Sequence, residues 1–188
     1  MKNFKTIAFT LFMAFSVASM SAQAKKIDVA KSKINWVAKK VTGQHEGTVN
    51  FKDGVLAFKG SRLKGGKFTV DMTSMTATDL TGEYLGKFNG HIKSDDFFGT
   101  EKFTTAILNF KTIAAKPNNV YTVTADLTIK GKTNLVTFDL AVTDNAATTT
   151  FKVDRTKYDI KYGSKSFFES IGDKAIDNEF ELKVALVF

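Results

Sequence analysis

The residue types that most often carry chemistry are scarce in this chain. His45 and His91 are the only histidines, and their separation does not match the short spacings of common zinc sites, so the sequence predicts no metal site. There is no cysteine, which excludes disulfides and a thiol nucleophile. Gly43 and Gly47 flank His45, and this setting favours a histidine that serves a turn.

The charged pairs do not suggest catalysis either. Asp95 and Asp96 are adjacent and point in different directions, so they cannot readily share a proton; with Ser94 they are expected to cap a turn. Asp154 and Arg155 are expected to form an ion pair at a strand end. The sequence has no nucleophile elbow, zinc-protease helix or Gly-rich phosphate loop. We therefore predict a non-enzymatic protein without a cofactor.

The elements that must position these residues are mainly strands. Polar and apolar residues alternate over much of the chain, most clearly at 67–72, 121–129, 136–142 and 180–188. Turn-forming residues predict breaks at Asp53-Gly54, Gly65-Gly66, Pro117-Asn118-Asn119, Lys130-Gly131-Lys132 and Asp144-Asn145. The pattern predicts one all-β domain of about eight antiparallel strands. It leaves open a two-sheet sandwich or a closed barrel, whose interior would be filled by side chains or hold one small ligand.

One stretch, 78–98, has the period of a helix instead. Its apolar residues recur at spacings of three and four: Leu80, Tyr84, Leu85, Phe88 and Ile92. Thr78 or Asp79 could cap its start. A helix here would either cover one end of the sheet or act as a lid over a cavity.

The N-terminal residues are typical of an export signal. Residues 1–24 combine two early lysines, a short apolar run and a final Ala-Gln-Ala, which predicts a cleaved signal peptide and a domain over 25–188. We expect a periplasmic or secreted protein.

The net charge of +8 comes from lysines spread among acids, which favours a solvated basic surface over nucleic-acid binding. No later apolar stretch is long enough to span a membrane, although a transient contact with a membrane surface stays open.

Three motifs, in order along the chain, resemble the YceI-like polyisoprenoid-binding family. They are Lys40, Gly43, His45 and Gly47 in the first, His91 to Phe98 in the second, and Leu127 to Thr133 in the third. The resemblance covers essentially the whole chain after the signal. There are two departures from the family pattern, Phe103-Thr104 in place of Tyr-Pro and Lys130 in place of His.

The resemblance implies a lipocalin-like, eight-stranded antiparallel barrel with a short helix near one end. It also implies an apolar cavity for a long isoprenoid chain, such as a quinone tail or polyprenyl phosphate, and proteins that are often homodimers. In such a barrel, one ring of each of the pairs Phe97-Phe98 and Phe167-Phe168 is expected to pack against the fold, while the other reaches the cavity mouth.

We therefore expect an exported protein that carries or senses an isoprenoid or related lipid. The residues predicted to line its pocket are Trp36, Phe51, Phe68, Phe88, Phe97, Phe98, Tyr121, Leu127, Phe138, Phe151 and Phe180, with His45 and Arg155 near the headgroup. Two alternatives stay open. One is a structural or stress-response protein with a filled core that binds a partner, and the other is a hydrolase that uses His45 or His91.

Overall fold

The computed structural model describes residues 23–168 and 172–188. Within these residues the elements are β1 (Gln23–Lys26), β2 (Lys33–Lys40), β3 (Gly43–Lys59), β4 (Arg62–Ala77), α1 (Gly82–Lys93), β5 (Thr105–Ala115), β6 (Val120–Ile129), β7 (Lys132–Val142), β8 (Ala146–Asp154) and β9 (Ile176–Val187). Two short 3₁₀ helices, Arg155–Tyr158 and Gly172–Lys174, lie in the connection between β8 and β9. Most of the predicted signal peptide, residues 1–22, lies outside the described residues. Strand β1 starts two residues before the predicted mature start at Lys25.

Eight of the strands close into a barrel. Antiparallel pairing runs β3-β2-β9-β8-β7-β6-β5-β4, and β4 pairs back with β3, so that the ring is complete. Strand β1 pairs only with the second half of β3, from Gln23 opposite Phe58 to Lys26 opposite Val55. The all-β, lipocalin-like barrel with one short helix is therefore confirmed, and the sandwich is excluded. Closure leaves no free sheet edge around most of the ring.

The register places the connections at two ends of the barrel. The end named here the helix end carries the β2–β3 turn, residues 78–104, the β6–β7 turn, and residues 155–168 and 172–175. The opposite end carries β1 and the remaining turns. All three family motifs have residues at the helix end, which directs attention to that end as the functional one.

Two of the five predicted turns are wrong. Asp53-Gly54 lies inside β3 and Gly65-Gly66 lies inside β4, and the pairing of these strands shifts register nearby. A Cβ on Gly54 would lie 2.5 Å from the Phe68 ring. These glycines therefore mark close approach of side chains and local bulges, and not chain reversal. The other three predicted turns are correct; at one of them Lys130 and Gly131 have φ values of 50° and 71°.

Helix α1 begins later than predicted. Its N-cap is Thr81, whose side chain makes no capping bond. The predicted cap Asp79 instead accepts a hydrogen bond from the amide of Glu46 on β3, at 3.2 Å. Tyr84 was expected on the buried stripe but is 77 % exposed. Leu80, Leu85, Phe88 and Ile92 do pack against the core. No helix in the described part of the chain is long and apolar enough to cross a membrane.

The half of the barrel towards the opposite end is solid. Leu56, Val123 and Leu140 are each at most 1 % exposed. A continuous series of ring contacts crosses the interior, with centroid distances of 6.0 Å for Phe51–Phe68, 5.8 Å for Phe68–Phe110, 6.0 Å for Phe110–Phe138 and 4.7 Å for Phe138–Phe151. We call these five residues the phenylalanine layer. The layer and the apolar residues beyond it fill this half of the barrel with side chains.

Candidate ligand-binding cavity

The half of the barrel towards the helix end is hollow. It contains a cavity of about 610 Å³, a volume typical of sites for small molecules. Its wall is mainly apolar and is formed by Ile34, Trp36, Ala38, Val49, Val70, Met72, Met75, Phe88, Ile92, Phe97, Phe98, Ala106, Leu127, Ile129, Ile176, Phe180 and Leu182. These residues come from β2, β3, β4, β5, β6, β9 and the segment that carries α1, and on the strands it is the alternation in the sequence that turns them inward.

Trp36 is fixed in the wall by a glycine on the neighbouring strand. Gly47 is the register partner of Trp36, and a Cβ on Gly47 would lie 2.3 Å from the indole ring. The missing side chain lets the indole lie flat against β3, where its Nε1 donates a hydrogen bond to the carbonyl oxygen of Thr48 at 3.2 Å. On its other side the indole stacks with Phe88 of α1 at 6.3 Å. Gly47 in the first motif thus has a direct steric role in the cavity.

The helix and the turn after it close part of the barrel end. Phe97 is 8 % exposed and packs against His91 of α1 at 5.0 Å, and Phe98 packs against Phe180 of β9 at 6.2 Å. Both rings of this pair line the cavity, and Phe97 also contacts the helix through His91. The segment that carries α1 therefore forms one wall of the cavity.

The second phenylalanine pair lies elsewhere. Phe167 and Phe168 are 48 % and 50 % exposed, and neither lines the cavity. The expectation that one of these rings packs and the other enters the mouth is wrong. Their amides both donate to the carbonyl oxygen of Ser164 at 3.1 Å, and this tight turn directs the rings outward.

The predicted pocket residues divide into two groups. Those on the cavity wall are Trp36, Phe88, Phe97, Phe98, Leu127 and Phe180. The others, Phe51, Phe68, Tyr121, Phe138 and Phe151, face the interior but lie outside the wall, four of them in the phenylalanine layer. Alternation predicts which face of a strand is inward, but it does not predict how far along the barrel the hollow part extends. A role in binding a ligand stays a prediction for the first group.

His45, a predicted headgroup residue, lies on the wall at the mouth. Its Nδ1 is 2.8 Å from Oδ2 of Asp79, and its ring lies 4.6 Å from the Phe88 ring. Desolvation acts to raise the pKa of Asp79, but the hydrogen bonds from His45 and from the amide of Glu46 outweigh it, and the pKa lies below its ordinary value. The ionised carboxylate therefore holds the imidazole beside the helix.

Arg155, the second headgroup candidate, is 3 % exposed and also reaches the wall. It donates to four carbonyl oxygens of the β8–β9 connection and the start of β9: Ile160 at 2.9 Å, Tyr162 at 2.8 Å, Ile176 at 3.0 Å and Asp177 at 2.9 Å. Because a guanidinium has five N–H groups, one is not used in these bonds. Burial lowers the pKa of Arg155. The side chain thus organises the connection and places a positive charge at the cavity.

The expected ion pair between Asp154 and Arg155 is wrong. The carboxylate of Asp154 instead caps the following 3₁₀ helix, accepting from the amide of Thr156 at 2.9 Å and from its hydroxyl at 2.6 Å. Over residues 23–168 and 172–188, no carboxylate lies within ion-pair distance of Arg155. Adjacent residues at a strand end point apart, so each finds a different partner.

Sequence reasoning missed several groups at the mouth. They are Lys39, Lys40, Thr42, His91, Tyr162, Asp173, Lys174 and Asp177. Lys40 and His91 belong to the first two motifs, so the signal for them was present. Lys174 and Asp173 come from the β8–β9 connection, whose path no periodicity predicts. In the described part of the chain, no three metal-ligating side chains come together.

The two departures from the family pattern lie near each other in space. A Cβ on Gly131 would lie 3.1 Å from the Phe103 ring, which therefore lies against the β6–β7 turn. Nζ of Lys130 in the same turn donates to the carbonyl oxygen of Asp95 at 2.7 Å. Both departures thus join residues 94–103 to the same turn.

Comparison with known proteins agrees with this architecture. BcnA of Burkholderia cenocepacia has a similar structure, with a TM-score of 0.72 and 25 % identity over 86 % of this chain and 99 % of that one. A polyisoprenoid binding domain from Saccharophagus degradans, with a TM-score of 0.58 and 15 % identity over 86 % and 95 % of the two chains, shares the fold.

A sequence relative and a family match complete the comparison. A UPF0312 protein of Shewanella denitrificans is 31 % identical over 91 residues, which is 48 % of this chain and 46 % of that protein. The chain thus aligns with about half the length of this curated relative. Residues 26–188 match the YceI-like domain. The chain belongs to the YceI-like domain family.

Proposed function

We propose that this protein is an exported, non-enzymatic binding protein that holds the hydrocarbon chain of an isoprenoid or related amphiphilic lipid inside the barrel. The observation that carries the proposal is the 610 Å³ cavity with an apolar interior and with its polar groups at the mouth. One structural relative is described as a polyisoprenoid binding domain. Because its identity to this chain is low, it supports the fold, and the class of ligand is argued from the cavity.

Burial of the chain alone supplies the affinity. Each buried CH₂ group contributes about 0.8 kcal/mol, so a five-carbon prenyl unit contributes about 4 kcal/mol before the cost of ordering the ligand. Wall residues such as Val49, Met72 and Leu127 offer contact without hydrogen-bond partners. Such a site favours long apolar chains and does not distinguish strongly between chains of different chemical structure.

The mouth supplies the selectivity for a headgroup. Arg155, Lys40 and Lys174 lie there, and Tyr162 adds a hydroxyl. A phosphate, or a quinone with its carbonyl oxygens, would accept hydrogen bonds from these groups. The headgroup therefore lies at the helix end, and the chain extends towards the phenylalanine layer.

The two alternatives have less support. A protein with a filled core would not leave an apolar space of this volume at one end of its barrel. A hydrolase would need a nucleophile beside a histidine. Among residues 23–168 and 172–188, no Ser, Thr or Tyr hydroxyl is hydrogen-bonded to the imidazole of His45 or His91: His45 pairs with Asp79, and His91 packs between Phe97 and Tyr162 at 5.0 and 4.6 Å.

Native mass spectrometry with and without organic extraction tests the proposal. The protein isolated from cells is expected to carry a lipid, and Ala106→Phe, which places a ring inside the cavity, is expected to lose it. Ala185→Phe is the matched control, because Ala185 is exposed on the outer face of β9. Lipid that is retained by Ala106→Phe and lost by Ala185→Phe, or no lipid in the wild type, would contradict the proposal.

A further inference from the structure

Four exposed apolar side chains lie on two chain segments that reach the cavity mouth: Val41 lies between the wall residues Lys40 and Thr42, and Phe167 and Phe168 follow the wall residue Tyr162. Val41, Tyr162, Phe167 and Phe168, named here the rim patch, are 54 %, 47 %, 48 % and 50 % exposed. Aromatic rings expose a large apolar area, and a folded protein normally buries most of it. Three such rings near one opening therefore indicate a surface that meets an apolar partner.

The rim patch is held by hydrogen bonds to the barrel. Ser164 is fully buried, and its Oγ donates to Oδ1 of Asn178 on β9 at 2.6 Å. The amides of Phe167 and Phe168 donate to the carbonyl oxygen of Ser164. The amide of Val41 donates to the carbonyl oxygen of Ala175 at 3.2 Å. The rings are thus displayed on an anchored turn.

The patch is continuous with the cavity. Tyr162 belongs to both, because it lines the cavity, packs against Phe97 at 5.5 Å and is half exposed to solvent. A lipid that leaves the cavity through the mouth would pass along these rings.

Lysines accompany the rings. Nζ of Lys161 lies 5.3 Å from the centre of the Phe167 ring and pairs with Asp159 at 2.7 Å. Lys39 and Lys40 directly precede Val41 and lie at the mouth, together with Lys174 and two acids, Asp173 and Asp177. Exposed apolar groups bordered by lysines are typical of proteins that bind at the headgroup level of anionic membranes.

We propose that the rim patch docks the cavity mouth on an anionic phospholipid bilayer, with Phe167 and Phe168 entering the interface between headgroups and acyl chains. The transfer of lipid at this point rests on the function proposed above; the docking itself does not. A second copy of this chain fits the patch less well. The three half-exposed rings together expose roughly 300 Å², well below the roughly 800 Å² per partner of a stable protein interface.

Vesicle flotation tests the docking. The protein is taken as the cell releases it, with its N terminus determined by intact mass. Wild type is expected to float with vesicles of equimolar phosphatidylcholine and phosphatidylglycerol, and less with pure phosphatidylcholine or at high salt. The double variant Phe167→Ser, Phe168→Ser is expected to bind at least about tenfold more weakly. Leu135→Ser is the matched control, since Leu135 is 60 % exposed on the barrel side.

Three results would overturn the proposal: wild type that does not float, a double variant that floats like wild type, or a control that loses as much binding. Light scattering adds a fourth result: the wild type is a dimer, the double variant is a monomer, and the two proteins float equally well. Co-purified lipid is measured on the same samples. Protein that carries lipid but does not float contradicts docking alone, and protein that floats without lipid contradicts the function proposed above alone.

Discussion

At the scale of single residues, Gly47 has the tightest surroundings in the cavity wall. A Cβ there would lie 2.0 Å from the carbonyl oxygen of Thr76 and 2.3 Å from the Trp36 ring. The first contact is with the backbone of β4, which cannot rotate away as a side chain can. The position of the indole, and with it one side of the cavity, therefore depends on the absence of a single methyl group.

We predict that Gly47→Ala destabilises the protein by about 1–3 kcal/mol, because overpacking forces β3 and β4 apart. The control is Gly86→Ala in the exposed middle of α1, where a Cβ meets nothing within 4 Å and alanine is the better helix former. That variant is expected to gain about 0.5–1 kcal/mol. Urea unfolding measures both. A Gly47→Ala variant as stable as wild type would contradict the steric argument.

Single residues also mark where sequence reasoning stops. The inward position of Trp36 follows from the strand period, and the motifs directed attention to His45 and Gly47. The partners of Arg155 did not follow, because its four carbonyl acceptors lie in residues 160–177, whose path depends on tertiary structure. A buried guanidinium binds the acceptors that the fold places around it, whatever its sequence neighbour.

At the scale of elements, five strands together set the depth of the cavity. Strands β3, β4, β5, β7 and β8 each contribute one ring to the phenylalanine layer. The layer begins directly after the wall: Val49 lines the cavity and Phe51 does not, and Val70 lines it and Phe68 does not. We infer that the layer is the floor of the cavity and limits the length of chain that fits.

Phe138→Ala is therefore expected to deepen the cavity and shift the co-purified lipid towards longer chains. Removing a buried ring costs about 3–5 kcal/mol of stability, so thermal unfolding must first verify the fold. Phe58→Ala is the control, because Phe58 is also buried but packs against Phe188 at the far end. Mass spectrometry of extracted lipid compares chain lengths. An unchanged distribution in Phe138→Ala would show that the layer is not the floor.

The elements themselves were predictable in type but less so in their limits. The strands were recognisable because each has a wet and a dry face. The positions of Gly54 and Gly66 were taken for turns, since a glycine that opens a turn and one that makes room for a ring look alike in sequence. The start of α1 at Gly82 was missed because Asp79, a good cap residue, binds β3 and His45 instead.

At the scale of the whole molecule, the alternation did not distinguish a barrel from a sandwich. Both give strands with one dry face, and the difference lies in whether β4 pairs back with β3. The family resemblance decided that question, and the pairing from Lys59 opposite Arg62 to Gly47 opposite Ala77 confirms it. Closure with one solid and one hollow half is what allows a binding function.

The most direct test of the central claim is a crystal structure of the protein as purified, without a lipid-stripping step. We predict continuous electron density for one hydrocarbon chain in the cavity, with its polar end near Arg155 and Lys40 and its other end against the phenylalanine layer. Two results would contradict the account. One is that side chains collapse and fill the cavity. The other is that mass spectrometry shows bound lipid, but the cavity wall has electron density for ordered water alone.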